Sequence, residues 1–384
     1  MTGPDEPERR ALAALSFLAD PADRALGALL RHRSASEVLA AITEDEQARQ
    51  VILSARPEVP GLGRALERWR KRVSLLPTKA KLAAWEREGL RLTFPDDPEW
   101  PTQLNDLGDA RPLLLWVRGR VDLRYACLSS VSVVGSRAAS PYGLHIGAEL
   151  AAALAERGCT VVSGGAFGID SVAHRGALAA DGITIAVLAS GLSYAYPRGH
   201  DELFDAIAAR GALVSECPPD RTPTRPGFLV RNRIVAALSR GTVVVEAALR
   251  SGALSTAKHA RELHRPLMAM PGRVTSEQSA GCHELIREWA ALLVTNATDV
   301  IEHVSPIGTE LTGPRVGPAL PRDHLDPVAT AVLEAVPVRG GRGPASIAVL
   351  AGVDLDTALR CLGLLAAAGF VQRCDQGWRA RKEA

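Results

Sequence analysis

Residues 131–170 read VSVVGSRAASPYGLHIGAELAAALAERGCTVVSGGAFGID. The stretch pairs apolar runs at 131–134 and 160–162 with a helical pattern at 142–157. Further apolar runs follow at 183–188, 212–214, 242–245 and 267–270. Helical patterns follow at 169–180, 202–210, 231–239, 255–263 and 283–290. Because apolar strands that alternate with helices indicate a parallel sheet covered on both faces, we predict an α/β, Rossmann-like, doubly wound fold. Its strand-to-helix loops should meet along one edge of the sheet, where function is to be sought.

A length of 384 residues predicts two to three domains, and changes in composition along the chain indicate their boundaries. Residues 1–95 show short amphipathic helices, which predicts an N-terminal helical domain of the SAM or helix-hairpin-helix type. Its glycine turn at 60–63 either offers N–H groups to a phosphate or simply connects two helices. Residues 96–304 form the core, and the Pro- and Gly-rich residues 305–325 form a linker. Residues 326–384 show a helix, a helix–turn–helix and a strand pair, the pattern of a winged helix.

Composition narrows the classes of function. Lys and Arg total 45 against 43 Asp and Glu, so the formal net charge of +2 excludes a strongly basic coating for nucleic acid. Any such binding must come from a local patch. No apolar run approaches the roughly 18 residues of a membrane span. The six cysteines form no C-x-x-C pair, so we expect a reduced cytoplasmic protein with neither a disulfide framework nor a zinc finger.

A local basic patch stands out at residues 221–240, which read RTPTRPGFLVRNRIVAALSR. The segment holds five arginines, no acidic residue and one aromatic, Phe228. We predict that Arg231-Asn232-Arg233 opens the following helix. Cations are mildly unfavourable at a helix N-terminus, so an anionic ligand there would explain them. The alternative is a solvated basic loop.

Glycine-rich loops leave the other predicted strands. They include Gly135-Ser136-Arg137, residues 163–168 with Phe167, and residues 251–256, which collect backbone donors, hydroxyls and basic groups. Tyr194 and Tyr196 lie just before Arg198 in the loop after the third predicted strand, and either ring stacks bases or packs on a neighbouring helix. We predict structural roles for Asp170, in a helix first turn, and for Glu246, which would hold Arg231 or Arg233.

Fingerprints of common enzymes are missing from the sequence. No G-x-G-x-x-G follows the first strand, and there is no P-loop, H-E-x-x-H or G-x-S-x-G motif. We therefore expect no cofactor, no metal site and no catalytic residues.

The loops occur in an order that resembles the DNA-processing protein A (DprA/Smf) family. The matching motifs are Gly135-Ser136-Arg137, Ser163-Gly164-Gly165-x-x-Gly168-Ile169-Asp170, Gly191-x-x-x-x-Tyr196-Pro197, Phe228-x-x-Arg231-Asn232-Arg233, Val244-Val245-Glu246-Ala247 and Ser251-Gly252-x-Leu254-x-Thr256. The resemblance implies an extended Rossmann fold and a homodimer that binds single-stranded DNA without catalysing a reaction. It also implies protection of transforming DNA, displacement of single-strand-binding protein and loading of a RecA-type recombinase.

The resemblance places Arg137, Arg198 and Arg225 at the basic positions of the family's single-strand site, with Phe228 as the base-stacking ring. Our predicted single-strand site comprises Gly135, Ser136, Arg137, Ser163, Gly164, Gly165, Phe167, Arg198, Arg225, Phe228, Arg231, Asn232, Arg233, Ser251, Gly252, Ser255 and Thr256.

Two other functions remain open at the level of sequence. A Rossmann-like phosphoribohydrolase would use Glu246 as a general base on a small nucleotide. A repressor would read duplex DNA through the winged helix. The would-be recognition helix at 353–365 has one basic residue, Arg360, and two acids, Asp354 and Asp356, which favours protein contact or an auxiliary DNA role.

Overall fold

A computed structural model describes residues 5–43, 50, 59, 61–305 and 321–381. The chain divides into two compact units, residues 1–312 and 313–384. Most of the predicted linker, and part of the turn at 60–63, lie outside the described residues. Within the described ranges, no helix is long and apolar enough to cross a bilayer.

A nine-stranded sheet organises the described part of the first unit. Its strands are β1 (Leu90–Thr93), β2 (Leu115–Gly119), β3 (Ser130–Val134), β4 (Thr160–Ser163), β5 (Thr184–Leu188), β6 (Ala212–Ser215), β7 (Gly241–Val244), β8 (Leu267–Ala269) and β9 (Leu292–Leu293). They lie in the order β1-β2-β6-β5-β4-β3-β7-β8-β9. The strands from β6 to β9 are parallel, whereas β1 and β2 are antiparallel additions beside β6. The predicted doubly wound parallel sheet is confirmed.

Helices cover both faces of this sheet. Along the chain they follow the N-terminal helices, which the next paragraph describes. They are α6 (Leu123–Leu128), α7 (Pro141–Glu156), α8 (Ile169–Ala179), α9 (Asp201–Arg210), α10 (Arg225–Leu238), α11 (Ala253–Glu262), α12 (Glu277–Glu288) and α13 (Ala297–Val304). Alternate residues of β3 point to opposite faces of the sheet. Val131 and Val133 pack in the hydrophobic core on one face, and Val134 packs in the core on the other.

The N-terminal helices share a hydrophobic core of their own around Leu15, Leu26 and Trp69, and some of them also pack against the sheet. They are α1 (Glu6–Leu18), α2 (Arg24–Leu30), α3 (Ala35–Thr43), α4 (Leu62–Arg70) and α5 (Lys79–Arg87). Phe17 of α1 and Trp85 of α5 meet at a ring-centroid distance of 6.0 Å, and Trp85 meets Trp116 of β2 at 5.7 Å. The sequence pattern places residues 90–93 in the helical domain, but they form β1.

Helix α10 begins at Arg225 and not at Arg231. The hydroxyl of Thr224 accepts a hydrogen bond from the amide of Gly227 at 3.2 Å, and Pro226 fits the first turn, where its missing N–H costs nothing. The prediction that Arg231 and Arg233 lie in the first turn is therefore wrong. Arg225 occupies that turn instead.

The strand order reverses at β3, which lies between β4 and β7. From β3 the chain builds β4, β5 and β6 on one side and then returns to build β7 and β8 on the other. Loops that leave β3 and β7 therefore run to opposite sides and open a crevice at the carboxyl ends of the strands, the usual ligand position in such sheets.

The second unit holds three helices and a hairpin within the described residues. They are α14 (Pro327–Ala335), α15 (Pro344–Ala351), α16 (Leu355–Ala367), β10 (Val371–Cys374) and β11 (Gly377–Ala380). The two strands pair antiparallel, as predicted. That this unit is a winged helix stays a prediction.

Candidate nucleic-acid interface

A cleft lies at the carboxyl edge of the sheet, at the point where the strand order reverses. It spans about 1630 Å³, including space open to solvent, between the β3 loop, the N-terminal half of α10 and the β7 loop. Three exposed arginines border it, namely Arg137, Arg225 and Arg250. The only carboxylate on its walls is Asp170, which is buried. The accessible charge of the described cleft is therefore positive.

Two aromatic rings stand beside these guanidinium groups. The guanidinium carbon of Arg137 lies 4.8 Å from the ring centroid of Phe228, a cation–π distance. Phe228 in turn lies 5.8 Å from Tyr196, whose side chain is exposed. Basic groups next to ring faces suit phosphates next to unpaired bases.

Arg225 lies in the first turn of α10, where the helix dipole disfavours a cation. Its side chain is exposed and forms no ion pair with any described residue. A bound anion would offset the unfavourable interaction between the Arg225 cation and the helix dipole. The sequence analysis predicts this anion-binding position for Arg231 and Arg233 instead.

Arg231 forms the floor of the cleft and is 8% exposed. Its Nη1 donates to the carbonyl of Val187, and its Nε donates to Oδ1 of Asn232 at 3.2 Å. Burial lowers the pKa of Arg231 and raises the pKa of the nearby Asp170 carboxyl, although each charge partly offsets the effect on the other. A Cβ at Gly164 would lie 2.3 Å from Asp170 Oδ2 and 2.6 Å from Arg231 Nη2, so only glycine fits between them.

Glu246 shapes the cleft without bonding to either arginine. Its carboxylate accepts hydrogen bonds from the amide of Ser140 at 2.8 Å and from the Ser140 hydroxyl at 2.6 Å. Its carbonyl accepts from the amide of Ser136 at 2.7 Å. The expectation that Glu246 holds Arg231 or Arg233 is wrong, because this carboxylate is buried under the N-terminus of α7, where Gly143 leaves room for it.

Arg233 does not reach the cleft. It is 4% exposed and donates from Nη2 to both carboxylate oxygens of Glu216 at 2.8 Å, and from Nε to the carbonyl of Ala110 at 2.9 Å. Two residues along a helix turn the side chain by about 200°, so Arg231 and Arg233 point in opposite directions. The structure therefore does not bring Arg233 to the cleft together with the other predicted residues.

Ser163 and Ser255 also lie elsewhere. Ser163 is fully buried, and its hydroxyl donates to the carbonyl of Val133 at 2.6 Å, which ties β4 to β3. Ser255 borders a separate depression beside α11. Arg198 is exposed in the loop after β5 but does not border the cleft.

The structure brings most of the other predicted residues together. Those that border the cleft are Gly135, Ser136, Arg137, Gly164, Asp170, Arg225, Phe228, Arg231, Asn232, Ser251, Gly252 and Thr256. Gly165 and Phe167 border a smaller chamber beside it.

Sequence reasoning left Arg250 and Tyr196 out of the site. Arg250 lies in the β7 loop two residues before Gly252, a strand-exit position that could have singled it out. Tyr196 carried a signal as a ring beside Arg198 after a strand, but packing against a neighbouring helix was the favoured interpretation of a single tyrosine.

Known proteins resemble the chain in sequence and in fold. A family model described as DNA recombination-mediator protein A matches residues 91–305, from β1 to the end of α13. The chain belongs to this family. The DNA processing protein DprA of Mycobacterium tuberculosis is 43% identical over 387 aligned residues, which cover 97% of this chain and 95% of the relative. The crystal structure of DprA from Streptococcus pneumoniae matches with a TM-score of 0.63 and 31% identity, covering 79% of this chain and 99% of that one.

A structure described for the single-stranded DNA binding mode of DNA processing protein A from Helicobacter pylori is also similar. It is 31% identical and has a TM-score of 0.49, covering 55% of this chain and 94% of that one.

This member of the DNA recombination-mediator family holds its β4 loop with a buried histidine. The Nε2 of His174 donates to the carbonyl of Gly164 at 2.7 Å, and Nδ1 shares a 2.7 Å hydrogen bond with the Thr184 hydroxyl. Burial lowers the pKa of His174 from 6.5 to about 4. The folded protein therefore holds this ring neutral at neutral pH.

We expect the free energy of unfolding to fall as His174 is forced to take up a proton. The unfolded chain binds that proton first, so the stability present above pH 6.5 is lost as the pH falls towards about 4, by about 3 kcal/mol at most. Chemical denaturation at about pH 7 and pH 4.5 would measure it against His174→Gln, which lacks the titrating group. Equal pH dependence in the two proteins would contradict this role.

Proposed function

We propose that this chain binds single-stranded DNA in the cleft and acts as a recombination mediator that catalyses no reaction. One observation carries the proposal. Exposed Arg137, Arg225 and Arg250 surround an open trough that also presents the rings of Phe228 and Tyr196, in a member of a family described as recombination mediators.

The proposed mode of binding follows from these groups. Guanidinium groups are forked donors that match phosphate oxygens, so the three arginines hold the backbone of the strand. Phe228 supplies a face on which a base stacks. Since backbone contacts and stacking carry little base information, binding tolerates most sequences.

The hydrolase alternative is less well supported. A general base must be within hydrogen-bond reach of its substrate, whereas the Glu246 carboxylate is 2% exposed and occupied by two hydrogen bonds from Ser140. Incubation with nucleoside monophosphates should therefore release no free base.

The repressor alternative depends on the second unit. Its α16 exposes Leu355, Leu359 and Leu364 beside Arg360. An apolar surface of this kind favours a protein contact over the reading of a DNA groove. We propose a protein-contact or auxiliary DNA role for this unit. Deletion of residues 320–384, followed by titration with duplex and with single-stranded DNA, tests it, and loss of duplex binding alone would favour the repressor.

Membership of the family supports a proposal about partners. We propose that the chain loads a RecA-type recombinase on the bound strand during recombination or natural transformation, displaces single-strand-binding protein and acts as a homodimer. The cytoplasmic location and the domain boundaries at 95, 304 and 325 stay predictions, although β1 argues for a first boundary before residue 90.

A salt titration tests the main proposal. If about four phosphates are neutralised, the logarithm of the affinity for poly-dT should fall against the logarithm of salt with a slope of about −3. The matched duplex should bind more weakly, because its bases are not free to stack. A slope near zero, or a preference for duplex, would overturn the proposal.

A further inference from the structure

The second unit leaves one side of α16 exposed. Leu355 and Leu359 are 45% and 44% exposed, and Gly363 and Ala367 are exposed further along the helix. Because these positions are four residues apart, they lie in a row along the helix, which we call the α16 face. The other side of the helix is buried through Ala358, Cys361, Leu362 and Leu365. No described part of the chain covers the α16 face.

No contact within the described chain requires a glycine at position 363. Gly363 lies in the interior of α16, where glycine is less favourable than alanine. A Cβ added at Gly363 would meet no atom within 4 Å, so the fold does not depend on the missing side chain. A glycine does, however, let another molecule approach the backbone closely. The notch that Gly363 leaves in the α16 face is therefore open to a group from outside the chain.

Two side chains of opposite charge border the α16 face. Asp356 and Arg360 are exposed, and neither forms an ion pair with a described residue. They lie one turn apart, on the same edge of the face. With Asp354 the local charges are two acids and one base, so the phosphates of a duplex would be repelled. A partner that offers both an apolar surface and charges of both signs fits better.

A second copy of α16 has these properties when it packs antiparallel on the first. With the two-fold axis at Leu359, Leu355 of each copy faces the notch at Gly363 of the other, since both positions lie about 6 Å from Leu359 along the helix. Asp356 of one copy and Arg360 of the other then lie on the same side of the contact, offset by only about 3 Å along the helix. The symmetry forms this ion pair twice, as in any isologous contact.

We propose that the α16 face joins the second units of two copies of this chain. The inference rests on the protein-contact role and the homodimer proposed above, to which it gives a surface, and it does not involve the DNA-binding cleft. Burial of Leu355 and Leu359 removes apolar surface from water, and the two ion pairs fix the register of the helices.

Disulfide cross-linking of the full-length chain tests this contact. Cys374 is the one described cysteine that is not buried, so Cys374→Ser is the background for every variant. Leu359→Cys places a thiol at the proposed two-fold axis, and with oxidised glutathione most of the protein should become a covalent dimer. Leu364→Cys is the matched control, because Leu364 is 63% exposed on the same helix. Its side chain is turned by about 140° from Leu359 and should cross-link at least tenfold more slowly.

Charge exchange in the Leu359→Cys variant tests the register. Asp356→Arg alone turns two attractive pairs into repulsive ones, so cross-linking should slow about fivefold at low salt. Arg360→Asp alone should have the same effect. The double variant Asp356→Arg/Arg360→Asp only exchanges the partners and should restore the rate to within about twofold. Gly363→Leu fills the notch and should also slow cross-linking, while the melting temperature stays level or rises because leucine is the better helix former.

The outcomes keep this inference apart from the proposed function. Equal rates for Leu359→Cys and Leu364→Cys would overturn it, because they would indicate random collision instead of a fixed contact. A double charge variant as slow as the single variants would also overturn it. If the wild-type chain is a dimer and binds poly-dT but Leu359→Cys does not cross-link, the α16 contact fails and the proposed function stands. Loss of poly-dT binding by the wild-type chain would overturn the proposed function, and cross-linking would still decide the contact.

Discussion

Replacement of both Arg137 and Arg225 by alanine is expected to lower the affinity for single-stranded DNA about a hundredfold at low salt, since each guanidinium–phosphate hydrogen bond is worth about tenfold in affinity. Both side chains are exposed at the cleft and neither forms an ion pair with a described residue, so the fold should be unaffected. Because each phosphate contact contributes about −0.7 to the salt slope of single-strand binding, the slope should move from about −3 to about −1.5.

Fluorescence titration of labelled poly-dT across a range of salt concentrations would measure both quantities. Arg124→Ala/Arg175→Ala is the matched control, since those arginines are also exposed but lie on α6 and α8, away from the cleft walls. An equal decrease in affinity in both double variants would mean that net charge alone drives binding. An unchanged slope would remove the cleft from the proposal.

The parallel sheet could be predicted because its buried strands are continuous apolar runs separated by amphipathic helices. The antiparallel strands β1 and β2 could not, since they lie on either side of Pro95, Pro98, Pro101 and Pro112, which indicate an irregular connector. Strand β2 depends on its pairing with β6, which lies far away along the chain, and the edge strand β1 in turn pairs with β2.

The cleft arginines were predicted with uneven success, and the start of α10 explains why. A helix that opened at Arg231 would have presented both Arg231 and Arg233 near the free amides of its first turn. Since the helix begins at Arg225, Arg231 and Arg233 lie in its interior. The rotation of about 100° per residue then points their side chains to opposite sides of the helix. Charge density along the sequence located the interface, but only the helix register could decide which charges face it.

Replacement of Arg233 by alanine should therefore act on stability and not on DNA contact. The change leaves the Glu216 carboxylate, whose side chain is 12% exposed, without the guanidinium group whose Nη2 donates to both of its oxygens. Removal of one member of a buried ion pair costs about 3–5 kcal/mol in free energy of unfolding. For a unit of this size we expect the melting temperature to fall by on the order of 10 °C. The affinity of the remaining folded protein for poly-dT should stay near the wild-type value.

The double variant Arg233→Leu/Glu216→Leu distinguishes a structural ion pair from a DNA contact. With both charges gone, no carboxylate is left buried alone, so much of the stability should return. A DNA contact by Arg233 would not be restored by a change at Glu216. If Arg233→Ala weakened binding at an unchanged melting temperature, Arg233 would have to leave Glu216 when DNA binds, and α10 would have to turn about its axis to present it. The two residues would then form a switch between free and bound states instead of a fixed part of the core.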